Sequence, residues 1–183
     1  MNKEKVTLEI KNILKGLGLN FEILFLGEES YPVISLFDDF LFTQCDFDVL
    51  DGKTRNLLYK SFIKKGYKIK GSRCFVSNEN IQFQLPKPSH TLGSNPADKV
   101  LEVLNQNSFT FTTPTQTLLS MAVIGDKRLK KSEFLESFLY KQPSNIQKIR
   151  QWVSNDKLDL NLPFSEKQLS DWNILGINRF RKL

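Results

Sequence analysis

The sequence predicts an α/β protein of the α+β kind, with a small mixed sheet flanked by helices and a helical C-terminal portion. The first 88 residues contain both short apolar runs and apolar side chains repeated at helical spacing, a pattern typical of a sheet covered by helices. Residues 86–96 are rich in Pro, Ser and Gly and break this pattern, and the spacing beyond them is mainly helical. We therefore predict an α/β core over residues 1–88 and a helical portion over 95–183, packed together or continuous as one domain.

The first elements follow from the spacing of apolar side chains. Residues 3–16 carry them at helical intervals and reach Gly16 and Gly18, so they predict an amphipathic helix that ends there. Residues 21–26 and 33–37 are apolar runs of strand length, separated by a predicted loop.

The next segment places two carboxylates on one side of a predicted strand. Residues 40–50 alternate in their second half, with apolar side chains on one face and Asp46 and Asp48 on the other. Asp51 is a suitable cap for the following helix, and Gly66 is suited to end it in the left-handed conformation. Three short strands are predicted after that helix, over residues 67–70, 74–76 and 81–85.

The remaining elements are mostly helices with recognisable starts. Asn95 and Pro96 predict one helix start, and residues 109–112 predict a short strand. Thr113 and Gln116 have the spacing of a capping box ahead of a helix over 118–124. Further helices are predicted from Ser132, over 143–153, and after a second capping box formed by Ser165 and Gln168.

Composition excludes several classes of protein. No apolar run reaches the roughly 18 residues that a membrane span needs, and no signal core follows Met1, so we expect a cytoplasmic protein without a membrane partner. Cys45 and Cys74 are too few for a disulfide framework, and with His90 they form a poor zinc set. Both thiols are expected to be reduced.

The formal charge of +6 suits contact with phosphate, in a nucleotide or in nucleic acid. One candidate phosphate-binding group, between two predicted helices, is Lys127, Arg128, Lys130 and Lys131. The alternative, given equal weight, is that these residues form an ordinary solvated loop. A second cluster is interpreted as the ordinary exposed face of a helix and strand. Its members are Lys60, Lys64, Lys65, Lys68 and Lys70.

Asp46 and Asp48 are the candidate metal ligands. Mg²⁺ accepts one or two carboxylates together with substrate phosphates, and side chains two residues apart on a strand project the same way. The alternative from spacing alone is an edge strand with a solvated acidic face.

Residues 42–49, Phe-Thr-Gln-Cys-Asp-Phe-Asp-Val, resemble the T-x-D-h-D-h segment of the nucleotidyltransferase superfamily, particularly its minimal and toxin-associated branches, where h is apolar. The Gly66-Tyr67 pair and the order of elements to about residue 140 are similar as well. The resemblance implies Mg²⁺-dependent transfer of a nucleotidyl group from a nucleoside triphosphate to a protein or RNA acceptor. Asp46 and Asp48 would be the catalytic and metal-binding residues, and nucleotide phosphates would meet Lys127, Arg128, Lys130 and Lys131.

Two departures from the family pattern keep another function open. The family has Gly-Ser or Gly-Gly shortly before the carboxylates, whereas the nearest equivalent here is residues 27–30, Gly-Glu-Glu-Ser, whose charge repels phosphate. The family's third carboxylate is replaced by Gln82 and Gln84, which bind metal poorly. The alternative is a non-catalytic module of this fold that binds a partner protein or nucleic acid. A third hypothesis is a structural protein with Asp46 and Asp48 on its surface.

Overall fold

A computed structural model of the chain describes residues 3–37, 50, 52–71, 74–76, 82–85, 108–155 and 164–181. Their helices and strands follow in chain order: α1 (Lys3–Gly16), β1 (Asn20–Leu26), β2 (Tyr31–Phe37), α2 (Gly52–Lys64), β3 (Lys68–Lys70), β4 (Cys74–Val76), β5 (Gln82–Gln84), β6 (Ser108–Thr112), α3 (Pro114–Val123), a 3-10 helix (Lys127–Lys130), α4 (Ser132–Lys141), α5 (Ile146–Asn155) and α6 (Glu166–Arg181). The predicted α+β class, with a mixed sheet and a helical C-terminal portion, is confirmed.

The strands form one six-stranded sheet in the order β1-β2-β6-β5-β4-β3. β1 and β2 are an antiparallel hairpin, and β3, β4 and β5 are an antiparallel meander. β6 lies between these two groups and runs parallel to both β2 and β5. The carboxyl ends of β2, β6 and β5 therefore meet at one edge of the sheet.

The central position of β6 joins the two predicted parts of the chain. Residues 108–112 come from the predicted helical portion, yet their backbone is hydrogen-bonded to β2 and β5 of the predicted α/β core. The sheet thus includes residues from both sides of the segment proposed as a linker. This is the arrangement that a single continuous domain requires.

One face of the sheet carries an aromatic core beneath α1 and α2. Phe83 of β5 lies with its ring 5.0 Å from Phe62 and 5.7 Å from Phe109, and all three side chains are fully buried. Ile10 and Leu14 of α1 belong to the same cluster. Phe62, Phe83 and Phe109 are therefore core residues on this face.

The other face of the β1–β2 hairpin packs against the C-terminal helices. Because neighbouring strand residues point to opposite faces, Val33 joins this second cluster while Ile34 belongs to the aromatic one. Leu26 of β1, Leu129 of the 3-10 helix and apolar residues of α3, α4, α5 and α6 complete the cluster. The C-terminal portion is thus built on the hairpin face.

Several helix ends match the chemistry read from the sequence. Gly66 has a φ of 86°, and the amide of Tyr67 donates to the carbonyl of Phe62 at 3.0 Å, which ends α2 in the left-handed conformation. Thr113 and Gln116 form the predicted capping box at the start of α3. Ser165 and Gln168 bond each other's amides in the same way before α6.

Some predicted elements lie outside the described residues. These are the strand over 40–50, the cap at Asp51, the helix from Asn95 and the segment that holds His90. Among the residues that are described, no helix has the length and apolar content needed to span a bilayer.

Candidate functional site

The predicted carboxylate pair, Asp46 and Asp48, lies outside the described residues, but the point from which its segment departs is described. β2 ends at Phe37, which lies at the carboxyl edge of the parallel strands β2, β6 and β5. Open α/β sheets bind ligands outside the carboxyl ends of their parallel strands. The metal site at Asp46 and Asp48 remains a prediction.

The strand predicted to lack the third carboxylate is present as β5. Gln82 and Gln84 lie on the face opposite Phe83, and Gln84 Nε2 donates to Ser108 Oγ at 3.1 Å. Thr110, the register partner of Gln84 on β6, is fully buried. This part of the sheet therefore presents neutral amides and hydroxyls where two-metal chemistry uses negative charge.

A buried polar layer lies at the carboxyl edge beside the start of α3. The hydroxyls of Thr112 and Thr117 are 2.7 Å apart, and Ser35 Oγ donates to Gln142 Oε1 at 2.9 Å. Nε2 of Gln142 is buried and has no hydrogen-bond partner among the described residues. These hydrogen bonds fix α3 and the end of α4 against β2 and β6.

The predicted phosphate-binding group around residue 128 lies at the opposite edge of the sheet. Arg128 Nη2 donates to the carbonyl of Phe25 at 2.8 Å, and Lys127 Nζ is 4.0 Å from Glu28 on the β1–β2 turn. That turn precedes β2, whereas Phe37 ends it. A seven-residue strand separates the two positions by about 20 Å.

Arg128 is already neutralised by a neighbouring carboxylate. Its Nε and Nη2 donate to the two oxygens of Asp126 at 3.0 and 2.6 Å, and its guanidinium lies 5.2 Å from the ring centre of Phe134. Asp126 also caps the 3-10 helix by accepting from the Arg128 amide at 3.0 Å. The positive charge of Arg128 is thus already balanced by Asp126, which lowers its attraction for a phosphate.

The pKa of Asp126 records the same pairing. Burial alone would raise it, but hydrogen bonds from the Arg128 side chain and amide, with the positive charge of Arg128 and a bond from the Gly27 amide, hold the pKa below its usual value. Only 7% of the Asp126 side chain is exposed. This carboxylate is therefore ionised at neutral pH, and its pairing with Arg128 stabilises the fold.

The remaining cations of this group are solvated. Lys130 and Lys131 are exposed, and 88% of the Lys127 side chain is accessible. An open cavity of about 530 Å³ borders Lys127 and Arg128, and its wall includes Glu28, Glu29 and Tyr31. The hydrogen bond between Tyr31 and Glu29, with desolvation and the charge of Glu29, raises the pKa of the phenol. Negative charge at this wall disfavours a phosphate.

The second basic cluster has a different setting. Residues 52–71, which comprise α2, the turn after it and β3, contain no Asp or Glu. Lys60 and Lys64 share one exposed stripe of α2, and Lys65, Lys68 and Lys70 are exposed beyond it. None of these five lysines forms an ion pair with a carboxylate in the described ranges. Their charge is therefore available to an external anion.

This basic unit lies at the far end of the sheet from the group around Arg128. β3 and β1 are the outer strands, five strand spacings apart, so the two clusters are separated by about 24 Å across the sheet. The structure does not bring them together. Favourable charge at the end of a helix accounts for Lys64 and Lys65 alone and does not explain Lys68 and Lys70 on the strand.

The sequence predicts an ordinary exposed face over residues 60–70 and a candidate phosphate-binding group at residues 127–131. Part of the signal that separates the two clusters is present in the sequence: Asp126 directly precedes residues 127–131, whereas no carboxylate occurs from residue 52 to 71. Only the folded structure shows which carboxylates meet the cations, because Glu28 is distant from Lys127 in the chain.

Within the described ranges, no three His, Cys, Asp or Glu side chains gather as a possible metal site. Comparison of the chain with protein-family models, curated proteins and solved structures finds no match.

Proposed function

We propose that this protein is a non-catalytic binding module that recognises nucleic acid through residues 52–71. The observation that carries the proposal is an exposed helix-turn-strand unit that carries exposed lysines on both its helix and its strand and has no carboxylate in its sequence. Nucleic-acid backbones bind such surfaces by exchanging condensed counterions for Lys and Arg side chains. The amides at Gln82 and Gln84, in place of an acid, support binding without catalysis.

The arrangement of the lysines suits a phosphate backbone better than a single phosphate group. Lys60 and Lys64 are one helical turn apart, about 6 Å along the axis. Lys68 and Lys70 add two exposed cations on the edge strand β3, directed to the sheet face opposite α2. Successive phosphates on one strand of duplex DNA have a spacing of the same order. Contacts of this type give affinity without reading sequence.

The test is the salt dependence of binding to single-stranded and duplex oligonucleotides, measured by fluorescence anisotropy. We expect log K to fall linearly with log salt, with a slope of about 0.9 per phosphate contact on duplex DNA. The variant Lys60→Ala, Lys64→Ala, Lys68→Ala should lower that slope by about 3 and weaken binding at low salt by about 100-fold.

The matched control removes the same charge elsewhere. Lys127→Ala, Lys130→Ala, Lys131→Ala also deletes three exposed cations, and its affinity should stay within about threefold of the wild type, a general charge effect. Equal losses in the two variants would show that only net charge matters. Binding to anionic lipid vesicles without binding to oligonucleotides would overturn the proposal in favour of a membrane surface.

A second candidate is Mg²⁺-dependent nucleotidyl transfer to a protein or RNA acceptor, as the family resemblance implies. It is favoured by the position of Phe37, the last described residue before this segment, at the carboxyl edge of three parallel strands. Asp46 and Asp48 would hold Mg²⁺ at the triphosphate. Lys130 or Lys131 would have to reach the carboxyl edge of the parallel strands from the opposite edge of the sheet.

Calorimetry separates this candidate from the first. Titration of nucleoside triphosphate with Mg²⁺ should give binding to the wild type that is lost in Asp46→Asn, Asp48→Asn, because the metal ligands are gone. The control is Asp171→Asn, an exposed carboxylate on α6. Absence of nucleotide binding by the wild type removes the enzymatic candidate and leaves the nucleic-acid proposal intact.

A further inference from the structure

Large exposed apolar side chains gather on two surfaces of opposite charge. Among the described residues, six such side chains on these surfaces are between 39% and 55% exposed: Leu57, Ile63 and Ile69 on α2 and β3, and Tyr140, Ile174 and Leu175 on α4 and α6. Single exposed apolar residues are ordinary, whereas grouped ones mark sites of interaction.

The first group belongs to the basic unit and is here named the α2–β3 surface. Leu57 and Ile63 lie on the two sides of the stripe that holds Lys60 and Lys64. Ile69 of β3 points to the face of the sheet that α2 covers, whereas Lys68 and Lys70 point to the other face. Phosphate contacts use the lysines and leave these aliphatic side chains exposed to water. A protein surface that is apolar and acidic would cover both.

Tyr140 and Leu175 of the second group line the α4–α6 groove, an open cavity of about 330 Å³, and Ile174 is exposed on α6 outside it. Its apolar lining is Tyr140, Trp172 and Leu175, and its acidic lining is Glu133 and Glu136. No cation in the described ranges pairs with either glutamate. Asp171, exposed four residues before Leu175 on α6, adds negative charge beside the groove.

The groove is a product of close packing between its two helices. A Cβ at Gly176 would lie 2.2 Å from the carbonyl oxygen of Leu139, so only glycine lets α6 approach the end of α4 this closely. Arg179 lies over the Tyr140 ring at 4.9 Å and holds that ring at the groove's end. The groove is therefore formed before any partner arrives.

We propose that the α4–α6 groove of one molecule binds the α2–β3 surface of a second copy of this chain. Each surface has what the other lacks: aliphatic side chains among lysines that pair with no described carboxylate on one, and aromatic side chains among glutamates that pair with no described cation on the other. Complementary charge favours this pairing and disfavours contact of either surface with itself. Because the two surfaces differ, the contact is head-to-tail, and each added copy leaves one of each surface open.

Sedimentation velocity without nucleic acid tests the proposal independently of the proposed function. We expect the weight-average mass of the wild type to rise with protein concentration and to fall with added salt, since the contact is partly ionic. A mass equal to one chain at every concentration in low salt would overturn the inference.

Charge reversal gives a stronger test. The groove variant Glu133→Lys, Glu136→Lys and the surface variant Lys60→Glu, Lys64→Glu should each associate at least about tenfold more weakly alone, because like charges then meet. Mixing them gives opposite charges both between the two altered surfaces and between the two unaltered ones, and should restore association. A mixture that stays at the mass of single chains contradicts the pairing.

Two controls keep the result interpretable. Lys11→Glu, Lys15→Glu reverses an exposed pair with the same spacing on α1 and should associate like the wild type. Ile63→Gln with Leu175→Gln changes only exposed side chains, so the fold is retained, and association should fall without any change in charge. Unchanged association in that variant would show that the apolar residues take no part.

Discussion

The two basic regions of this protein are similar in composition but differ in how far their cations are available to a ligand. Around Arg128, two carboxylates from neighbouring segments meet the cations, and one of them is nearly buried. Along α2 and β3 the lysines face solvent, and no carboxylate occurs between residues 52 and 71. The comparison shows that the count of Lys and Arg in a segment is a poor measure of the charge it offers to a ligand.

The difference has a structural cause. Arg128 connects three elements, since it bonds the end of β1, pairs with the cap residue Asp126 and lies on Phe134 of α4. A guanidinium suits that task because its planar donors satisfy several acceptors at once. Lys60 and Lys64 of α2 carry no such role in the described part of the chain, and their long side chains can extend to meet phosphate.

The largest effect is expected at the carboxylate beneath Arg128. Asp126→Asn should lower the free energy of unfolding at pH 7 by about 2 kcal/mol, because a partly buried guanidinium loses its ionised partner. Urea denaturation followed by circular dichroism measures the change. If Asp126→Asn were as stable as the wild type, Arg128 would be a free surface cation and the contrast between the two basic regions would be lost.

The same pair predicts a pH dependence with a definite sign. The pKa of Asp126 is held below the ordinary value of 3.8, so its contribution to stability is full above that value. The contribution is lost as the pH falls through the lower, folded-state pKa. The stability difference between wild type and Asp126→Asn should therefore be constant from neutral pH to about 5 and shrink in stronger acid. A difference that grows on acidification would contradict the assignment.

A carboxylate inserted into the α2–β3 surface should make that region resemble the one around Arg128. Asn56→Glu places an acid four residues before Lys60, which should raise helix stability by about 0.3 kcal/mol. Affinity for oligonucleotides should nevertheless fall by about tenfold, because the new carboxylate would compete with phosphate for the lysine. Asn56→Gln is the matched control. Anisotropy and thermal melts together distinguish lost binding from lost folding.

The smallest effect is expected at the turn. Glu28→Gln removes the carboxylate that lies 4.0 Å from Lys127, where both side chains are almost fully exposed. Such pairs contribute little to stability. The denaturation midpoint should match that of the wild type, in contrast to Asp126→Asn. A clear loss of stability would mean that the turn is fixed by this ion pair.

Local patterns predicted most of the described elements. Helical spacing identified α1 and α2, apolar runs identified β1 and β2, and Ser/Thr-x-x-Gln spacing identified two capping boxes that the structure contains. These signals succeed because they depend on neighbours within one helical turn or one strand. The short strand at residues 109–112 was predicted too, but not its position between β2 and β5, since strand pairing depends on partners remote in sequence.

The candidate site was predicted less completely. Residues 127–131 were identified as a basic group between two helices, and that placement is confirmed. No local pattern indicated that Arg128 would contact Phe25, a residue 103 positions away. Gly176 is a similar case: inside a helix it reads as a weak position, and only the approach of Leu139 explains it.

By itself the sequence determined the α+β class, the ends of several helices and the presence of a basic stretch without acids, because each depends on residues close together in the chain. The tertiary structure decided which cations are neutralised, which apolar side chains remain exposed and where β6 enters the sheet. Those features depend on contacts between distant segments, whose free energies are set by burial and charge pairing that exist only after folding.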